Sequence, residues 1–204
     1  MVIKLGVLLS GSGSTLQNIL DLSRRKDLDA NVVCVIGSRE TAYGLERARL
    51  QNVPALAIPR KDYPDTAAFS DAIWRELRRH EVDLVVLAGF MSLITVPADF
   101  THRIMNVHPA LVPAFCGQGM YGHHVHEAVL AYGAKITGVT VHFVDEHYDH
   151  GPIILQEAVP VLENDTPDTL AERVQAKERE MYPRAIQLFA DGRLKVEGRL
   201  VRIL

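Results

Sequence analysis

The segment that decides the fold is residues 3–20, which read IKLGVLLSGSGSTLQNIL. Its first part, Ile3–Leu9, is a nearly uninterrupted aliphatic run and predicts a strand that is buried on both faces. Its last part places Leu16, Ile19 and Leu20 on one face of a helix. The glycine- and serine-rich stretch between them predicts a tight turn. A strand, a turn and a helix in this order predict the start of a βαβ unit.

The same alternation continues through the first 110 residues. Further aliphatic runs lie at Val32–Ile36, Ala55–Ile58, Val82–Ala88 and Arg103–Val107. Between two of them, a helical face is formed by Phe69, Ile73, Trp74 and Leu77, with Asp65 or Thr66 as the N-cap. This pattern predicts an α/β fold with a doubly wound, mostly parallel, Rossmann-like sheet.

The pattern changes after residue 110. In chain order, it predicts a helix at His123–Tyr132, strands at Ile136–Val144 and Pro152–Val161, a helix from Pro167 to about Ala190, and a hairpin at Arg193–Ile203. The short loop between the two strands favours antiparallel pairing, so antiparallel strands are added in the C-terminal half. Thr166 is the expected N-cap of the long helix, which Pro183 should kink or restart.

Composition excludes several classes of protein. Of 204 residues, 48% are hydrophobic and 23% are charged, which is typical of a globular chain. The net charge of −3 argues against nucleic acid as the main partner. No apolar run approaches the ~20 residues of a membrane span, and the N-terminal run lacks the features of a signal peptide. We therefore expect a cytoplasmic protein that does not bind membranes.

Three clusters of residues indicate chemistry. The first is the turn Ser10-Gly11-Ser12-Gly13-Ser14-Thr15, which matches neither the P-loop nor the dinucleotide fingerprint. Backbone N–H groups at such a turn and the helix N-terminus behind it favour a small phosphate ester. A purely structural turn capped by serine also fits this pattern.

The second cluster is Asn106-Val107-His108-Pro109, at the end of the fifth strand pattern. An amide donor and an imidazole side by side suit acyl transfer, because one stabilises an oxyanion while the other moves a proton. The third cluster is the polar loop at residues 145–152, from which Asp149 is the carboxylate expected to reach His108. A strand end and a solvated turn without function also fit these two patterns.

Three motifs together resemble one family. They are GSGSTLQ at residues 11–17, NVHPALVP at 106–113, and GVTVHFVDE at 138–146, followed by Asp149 and GPII at 151–154. In this order and spacing they resemble the phosphoribosylglycinamide formyltransferases, which are folate-dependent enzymes of purine synthesis. The resemblance runs from residue 3 to about residue 195.

The resemblance implies a role for each matching residue. The implied catalytic residues are Asn106, His108 and Asp149. The implied contacts of the substrate 5′-phosphoribosylglycinamide are Gly11, Ser12, Gly13, Ser14 and Thr15 for the phosphate and Glu178 for the ribose hydroxyls. The implied contacts of the co-substrate 10-formyltetrahydrofolate are Met91, Ser92, Leu93, Ile94, Asn106 and Asp145. No metal is expected.

The resemblance also implies a mechanism and a domain organisation. The glycinamide amine attacks the formyl carbon, and Asn106 and protonated His108 stabilise the tetrahedral intermediate, with Asp149 as the carboxylate partner. We expect a single domain over 1–204, with a phosphate-binding half at 1–110 and a half at 111–204 that carries the catalytic loop and binds folate. The partners are then two small molecules, and a homo-oligomer stays compatible with the sequence.

Other functions share some of these features. A formyltetrahydrofolate hydrolase or a methionyl-tRNA formyltransferase would carry the same Asn-His-Asp trio. A metal-dependent hydrolase would use residues crowded in one region, although none has H-E-x-x-H spacing; they are His108, His123, His124, His126, His147, Asp149 and His150. A phosphate-binding module without catalysis would keep the glycine turn and would not need Asn106 or His108.

Overall fold

The computed structural model describes residues 2–204. The chain forms two compact units, Met1–Met105 and Asn106–Leu204. The single-domain organisation expected from the sequence stays a prediction.

Strands and helices alternate in the first unit. In chain order they are β1 (Ile3–Leu9), α1 (Ser14–Arg25), β2 (Ala30–Gly37), α2 (Tyr43–Leu50), β3 (Ala55–Ala57), α3 (Thr66–Arg79) and β4 (Leu84–Leu87), with short 3₁₀ turns at Arg60–Asp62 and Ala98–Phe100. The strand order is β3-β2-β1-β4. β1 pairs in parallel with both β2 and β4, and β2 pairs in parallel with β3. This unit therefore has the parallel architecture that the alternation predicts.

The predicted helical faces are the buried ones. α1 buries Leu16, Ile19 and Leu20, and α3 buries Phe69, Ile73, Trp74 and Leu77. The Asp65 side chain caps α3 by accepting a hydrogen bond from the backbone N–H of Ala68. The periodicity and the cap together determine where these helices lie.

Helix α2 was not predicted from the sequence. It is only eight residues long and buries Gly44, Leu45 and Ala48, so its apolar stripe is too short to stand out. Its first turn packs closely on β1 and on the glycine turn, because a Cβ at Gly44 would lie 2.4 Å from Leu9 Cδ2 and 3.2 Å from Gly13 Cα. Tertiary contact, rather than local pattern, fixes this helix.

The second unit contains the antiparallel strands. β5 (Ile104–His108) begins in the first unit and ends in the second, and it is followed by α4 (His123–Tyr132), β6 (Ile136–Phe143), β7 (Ile153–Pro160), α5 (Pro167–Ala190), β8 (Leu194–Glu197) and β9 (Leu200–Ile203). β6 pairs antiparallel with β7, and β8 pairs antiparallel with β9. β9 joins β7 in parallel at Leu200 and Ile153.

Helix α5 begins as predicted and does not restart. Thr166 forms a capping box with Thr169, and Pro167 occupies the first turn. The helix continues through Pro183, so it does not restart there, and the predicted kink stays a prediction. Pro183 itself is buried, as are Met181, Tyr182 and Ala185 near it, and this packing maintains the helix despite the missing N–H.

The fold class predicted from the sequence is confirmed. The protein is an α/β protein with mostly parallel strands and with antiparallel strands towards the C-terminal end. Within residues 2–204, every helix is too short or too polar to cross a bilayer.

Candidate active site

The end of β5 presents two polar side chains in the same direction. Asn106 and His108 are two residues apart, and an extended strand points such residues to one side. Asn106 Nδ2 donates to Asp149 Oδ1 over 3.2 Å, and His108 Nδ1 lies 3.4 Å from Asp149 Oδ2. The His108 side chain is only 3% exposed and that of Asp149 is 9% exposed. The structure thus brings the three side chains predicted to be catalytic into one buried cluster.

Asp149 lies in the turn between β6 and β7. Its φ of +51° is left-handed, a conformation that Asp tolerates better than most residues. The backbone N–H of Gly117 donates to Asp149 Oδ2 over 3.0 Å. Burial alone raises the pKa of the Asp149 carboxyl, but its contacts with His142, His108 and Gly117 outweigh burial and lower this pKa below the ordinary value. Asp149 is therefore a carboxylate at neutral pH.

A second imidazole completes the cluster. His142, on β6, is 1% exposed, and its Nε2 lies 3.4 Å from Asn106 Nδ2 and 3.7 Å from Asp149 Oδ1. Its Nδ1 lies 2.7 Å from the carbonyl oxygen of Phe143, which can only accept a hydrogen bond. Nδ1 therefore carries the proton, and Nε2 accepts from the Asn106 amide. This arrangement fixes which atom of the Asn106 side chain is the nitrogen.

The sequence analysis quoted His142 within a motif and gave it no role. In a strand that is buried on both faces, alternation does not separate a functional side chain from the core. The sequence signal for a role of His142 was its position inside an otherwise nearly apolar strand, because a buried imidazole needs a hydrogen-bond partner.

His108 also contacts the segment that follows β5. Its Nε2 lies 2.8 Å from the carbonyl oxygen of Phe115, so Nε2 carries a proton and donates. Phe115 and Gly117 both have positive φ, which turns a carbonyl towards His108 and an N–H towards Asp149. Both ring nitrogens of His108 therefore face protein atoms.

The pKa of His108 is set mainly by its burial. Burial lowers the pKa of the His108 imidazole below its ordinary value of 6.5, as does His142, although Asp149 and the Phe115 carbonyl oppose the shift. This direction favours a neutral His108 in the ligand-free protein at pH 7, and the protonated His108 expected in the tetrahedral intermediate stays a prediction. Desolvation outweighs one neighbouring carboxylate in this buried position.

The glycine turn lies at the carboxyl end of β1 in the first unit. Gly13 is the N-cap of α1 with φ of +73°, and in the described chain no side chain caps this helix. The Ser12 and Ser14 residues of the turn are exposed. A helix N-terminus whose N–H groups lack a side-chain cap, with hydroxyls beside it, is suited to bind an anion.

Neighbouring elements hold the turn in place. Arg47 Nε donates to the carbonyl oxygen of Ser12 over 2.9 Å, and the N–H of Gly44 donates to the carbonyl oxygen of Gly11 over 3.1 Å. The hydroxyl of Ser10 accepts from the backbone N–H of Met91 over 2.9 Å. The turn is therefore fixed by α2 on one side and by the segment after β4 on the other.

Replacing Gly13 by alanine is expected to destabilise the protein by about 2–4 kcal/mol, measured by chemical unfolding. A Cβ there would require a left-handed φ and would lie 2.6 Å from the Cα of Gly44. The matched control is Gly11→Ala, whose Cβ would meet nothing within 4 Å. Equal stability of the two variants would contradict this account of the turn.

The residues expected to contact folate lie in two places. Met91 and Leu93 are exposed apolar side chains after β4, Ser92 is half-buried, and Ile94 is buried. Asp145 lies in the turn after β6, where its carboxylate accepts from the N–H of His147. Their contact with folate stays a prediction.

The motifs and the fold of this chain are shared with known proteins. The formyl transferase family pattern matches residues 3–186. The chain belongs to the formyl transferase family. Two relatives in this family are named phosphoribosylglycinamide formyltransferase: the Haemophilus influenzae protein is 36% identical over 199 residues, and the chloroplastic protein of Vigna unguiculata is 41% identical over 194 residues. The resemblance drawn from three motifs is confirmed.

These formyl transferase relatives differ in length. The match to the Haemophilus protein covers 97% of this chain and 92% of that protein. The match to the Vigna protein covers 94% of this chain and 62% of that protein. The solved structure of glycinamide ribonucleotide transformylase 1 from Symbiobacterium toebii is 49% identical, with a TM-score of 0.93 over all of this chain and 94% of that one. The family fold therefore extends over the whole chain.

Glu178 is the remaining predicted site residue in this formyl transferase. It lies half-buried on α5. Burial raises the pKa of the Glu178 carboxyl from an ordinary 4.5 to about 7, although Arg179 opposes the shift. A carboxylate with this environment is destabilised when it is charged, and a hydrogen-bond donor from a ligand would relieve that cost.

The Glu178→Gln substitution is expected to stabilise the free protein in a pH-dependent manner. Because the folded pKa is raised, the native protein loses stability as pH rises from about 4.5 to about 7. The glutamine variant lacks this loss, so we expect its unfolding free energy to exceed that of the parent by roughly 1–3 kcal/mol at pH 8 and to match it at pH 4. Chemical unfolding at both pH values, with the exposed Glu172→Gln as control, measures this effect. A gain of equal size at both pH values would contradict it.

Proposed function

We propose that this chain transfers the formyl group of 10-formyltetrahydrofolate to the amine of 5′-phosphoribosylglycinamide, a step of purine biosynthesis. The observation that carries the proposal is the buried cluster of Asn106, His108 and Asp149 in a formyl transferase whose relatives bear this activity in their names. An amide, an imidazole and a carboxylate are the groups that acyl transfer to an amine requires.

The proposed chemistry begins with attack of the glycinamide amine on the formyl carbon. The C–N bond that forms turns the formyl oxygen into an oxyanion, and the amine gains a positive charge. Asn106 Nδ2 and His108 Nε2 stabilise that oxygen as N–H donors, and Asn106 gives up its 3.4 Å contact with His142 Nε2 to do so. In the free protein His108 Nε2 donates to Phe115, so the formyl oxygen replaces the Phe115 carbonyl as its acceptor.

Proton transfer completes the reaction. The amine loses one proton, N10 of the folate gains one, and the bond from N10 to the formyl carbon breaks. Asp149 serves this step by its charge, because a carboxylate 3.4 Å from His108 Nδ1 favours the imidazolium that forms as negative charge grows on the substrate. The proton that makes His108 an imidazolium is the one that the amine loses, and His108 returns it to N10 as the bond to the formyl carbon breaks.

The binding roles follow the residues of the family motifs. We assign the substrate phosphate to Gly11, Ser12, Gly13, Ser14 and Thr15, the ribose hydroxyls to Glu178, and the pterin to the backbone of Met91–Ile94 and of Asp145, with Asn106 near the formyl group. The proposal includes a single functional domain, a cytoplasmic location and formyl transfer that needs no metal.

A direct assay tests the proposal. Purified protein is mixed with 5′-phosphoribosylglycinamide and 10-formyltetrahydrofolate, and the appearance of tetrahydrofolate is followed. We expect turnover that requires both substrates and that persists in a chelator. Folate release without the ribonucleotide would instead identify a hydrolase, turnover abolished by a chelator would identify a metal enzyme, and binding without turnover would identify a phosphate-binding module.

A further inference from the structure

The turn that carries Asp149 also bears a second cluster on its outer side. Asp145, His147 and His150 each offer one ligand atom, and these atoms all lie within 4.8 Å of one another. Asp145 Oδ2 lies 2.7 Å from His150 Nδ1, and Asp145 Oδ1 lies 3.9 Å from His147 Nδ1. The two imidazoles are exposed and the carboxylate is half-buried. Asn106, His108 and His142 are not part of this cluster.

We propose that Asp145, His147 and His150 bind a divalent transition-metal ion of the Zn²⁺ or Co²⁺ type. Two imidazoles and one carboxylate are the donors such ions prefer, and a water molecule would supply the fourth position. Metal–ligand bonds of about 2.0–2.2 Å place tetrahedral ligand atoms about 3.3–3.5 Å apart. The observed 2.7 and 3.9 Å lie on either side of that separation, so small side-chain rotations suffice.

The hydrogen bonds of the turn favour this arrangement. Asp145 Oδ1 accepts from the backbone N–H of His147 over 2.9 Å, so the carboxylate is already fixed in position. His150 Nδ1 donates its proton to Asp145 Oδ2, and a metal ion would replace that proton between the same two atoms. The free protein therefore holds two of the three ligands near their metal-binding positions.

Arg199 opposes the binding of a cation. Its Nη1 lies 3.3 Å from His150 Nε2 and 3.4 Å from His150 Nδ1, and its Nη2 donates to the carbonyl oxygen of His150. A guanidinium this close to a ligand repels a divalent ion. Because Arg199 is exposed in the β8–β9 turn, it can move aside at a cost in affinity. Removal of its charge should therefore strengthen metal binding.

A titration of the full chain without an affinity tag tests the inference. Zn²⁺ binding is measured by competition with a chromophoric chelator, and Co²⁺ binding is measured by visible absorption, which reports ligand geometry. We expect one ion per chain, binding weakened at least about tenfold in both His147→Ala and His150→Ala, and tighter binding in Arg199→Gln. Thermal unfolding without metal checks that each variant is folded.

The matched control is His124→Ala. His124 is an exposed histidine on α4 that lies 3.3 Å from Glu127 and outside the cluster. The control should bind metal as the parent does. The inference is overturned if the parent binds no stoichiometric ion, if both His147→Ala and His150→Ala bind normally, or if His124→Ala removes the binding. These outcomes do not depend on formyl transfer, so they leave the proposed function to its own test.

Discussion

Replacing Asn106 by alanine is expected to lower kcat for formyl transfer by a factor on the order of 10²–10³. The side-chain amide is a neutral donor in the cluster, and its orientation is set by Asp149 and His142. Alanine removes a donor that acts on the oxyanion and leaves both substrates free to bind, so KM should change little. Steady-state kinetics with both substrates measures this split.

Two further variants make the Asn106 result specific. Asn31→Ala removes an exposed amide in the first unit and should leave kcat unchanged. Asn106→Asp keeps the size of the side chain and places a second carboxylate beside Asp149, so it should be as slow as the alanine variant. If Asn106→Ala retains kcat within about threefold of the parent, the assignment of Asn106 as an oxyanion donor fails.

Replacing Asp149 by asparagine is expected to lower kcat by a factor on the order of 10²–10⁴. Asparagine tolerates the left-handed φ of +51°, so the turn should keep its shape. The loss of charge removes the group that favours the His108 imidazolium, and the pKa of His108 then falls further below its ordinary value because burial acts unopposed by a carboxylate. Kinetics at pH 7, together with thermal unfolding, measures this effect.

A double substitution shows whether Asp149 and Asn106 act together. The two side chains are hydrogen-bonded over 3.2 Å, and directly contacting residues are expected to be non-additive. The variant with both Asn106→Ala and Asp149→Asn should therefore be much less impaired than the product of the single losses. If the loss of kcat in the double variant equals the product of the two single losses, the two residues do not act at a shared site.

Local pattern predicted much of the chain, and particular residues show why. Two elements have the bounds that the sequence predicts, the strand Ile3–Leu9 and the helix His123–Tyr132. An aliphatic run that stops at turn residues, and a helix that lies between two glycines, leave little freedom in where each element begins and ends. The Thr166 cap was readable because it depends only on neighbours three residues away. The pairing of Asn106 with His108 on one side of β5 followed from strand alternation.

Other features could not be read from the sequence. Helix α2 depends on the contact of Gly44 with Leu9 and Gly13, which joins separate parts of the chain. The partners of His108 at Phe115 and of Asp149 at Gly117 are backbone groups, and any residue type could have supplied them. The role of His142 depends on which side of a doubly buried strand faces Asn106.

The sequence by itself determined the order of the elements other than α2, the caps of α3 and α5, and the family, and it predicted which side chains react, because these depend on residue type and on spacing along the chain. Only the tertiary structure decided that Asp149 meets residues about forty positions away, and that burial outweighs the Asp149 charge and lowers the pKa of His108. Electrostatic and desolvation energies depend on distances through space and on exclusion of water, and neither quantity is a property of a linear sequence.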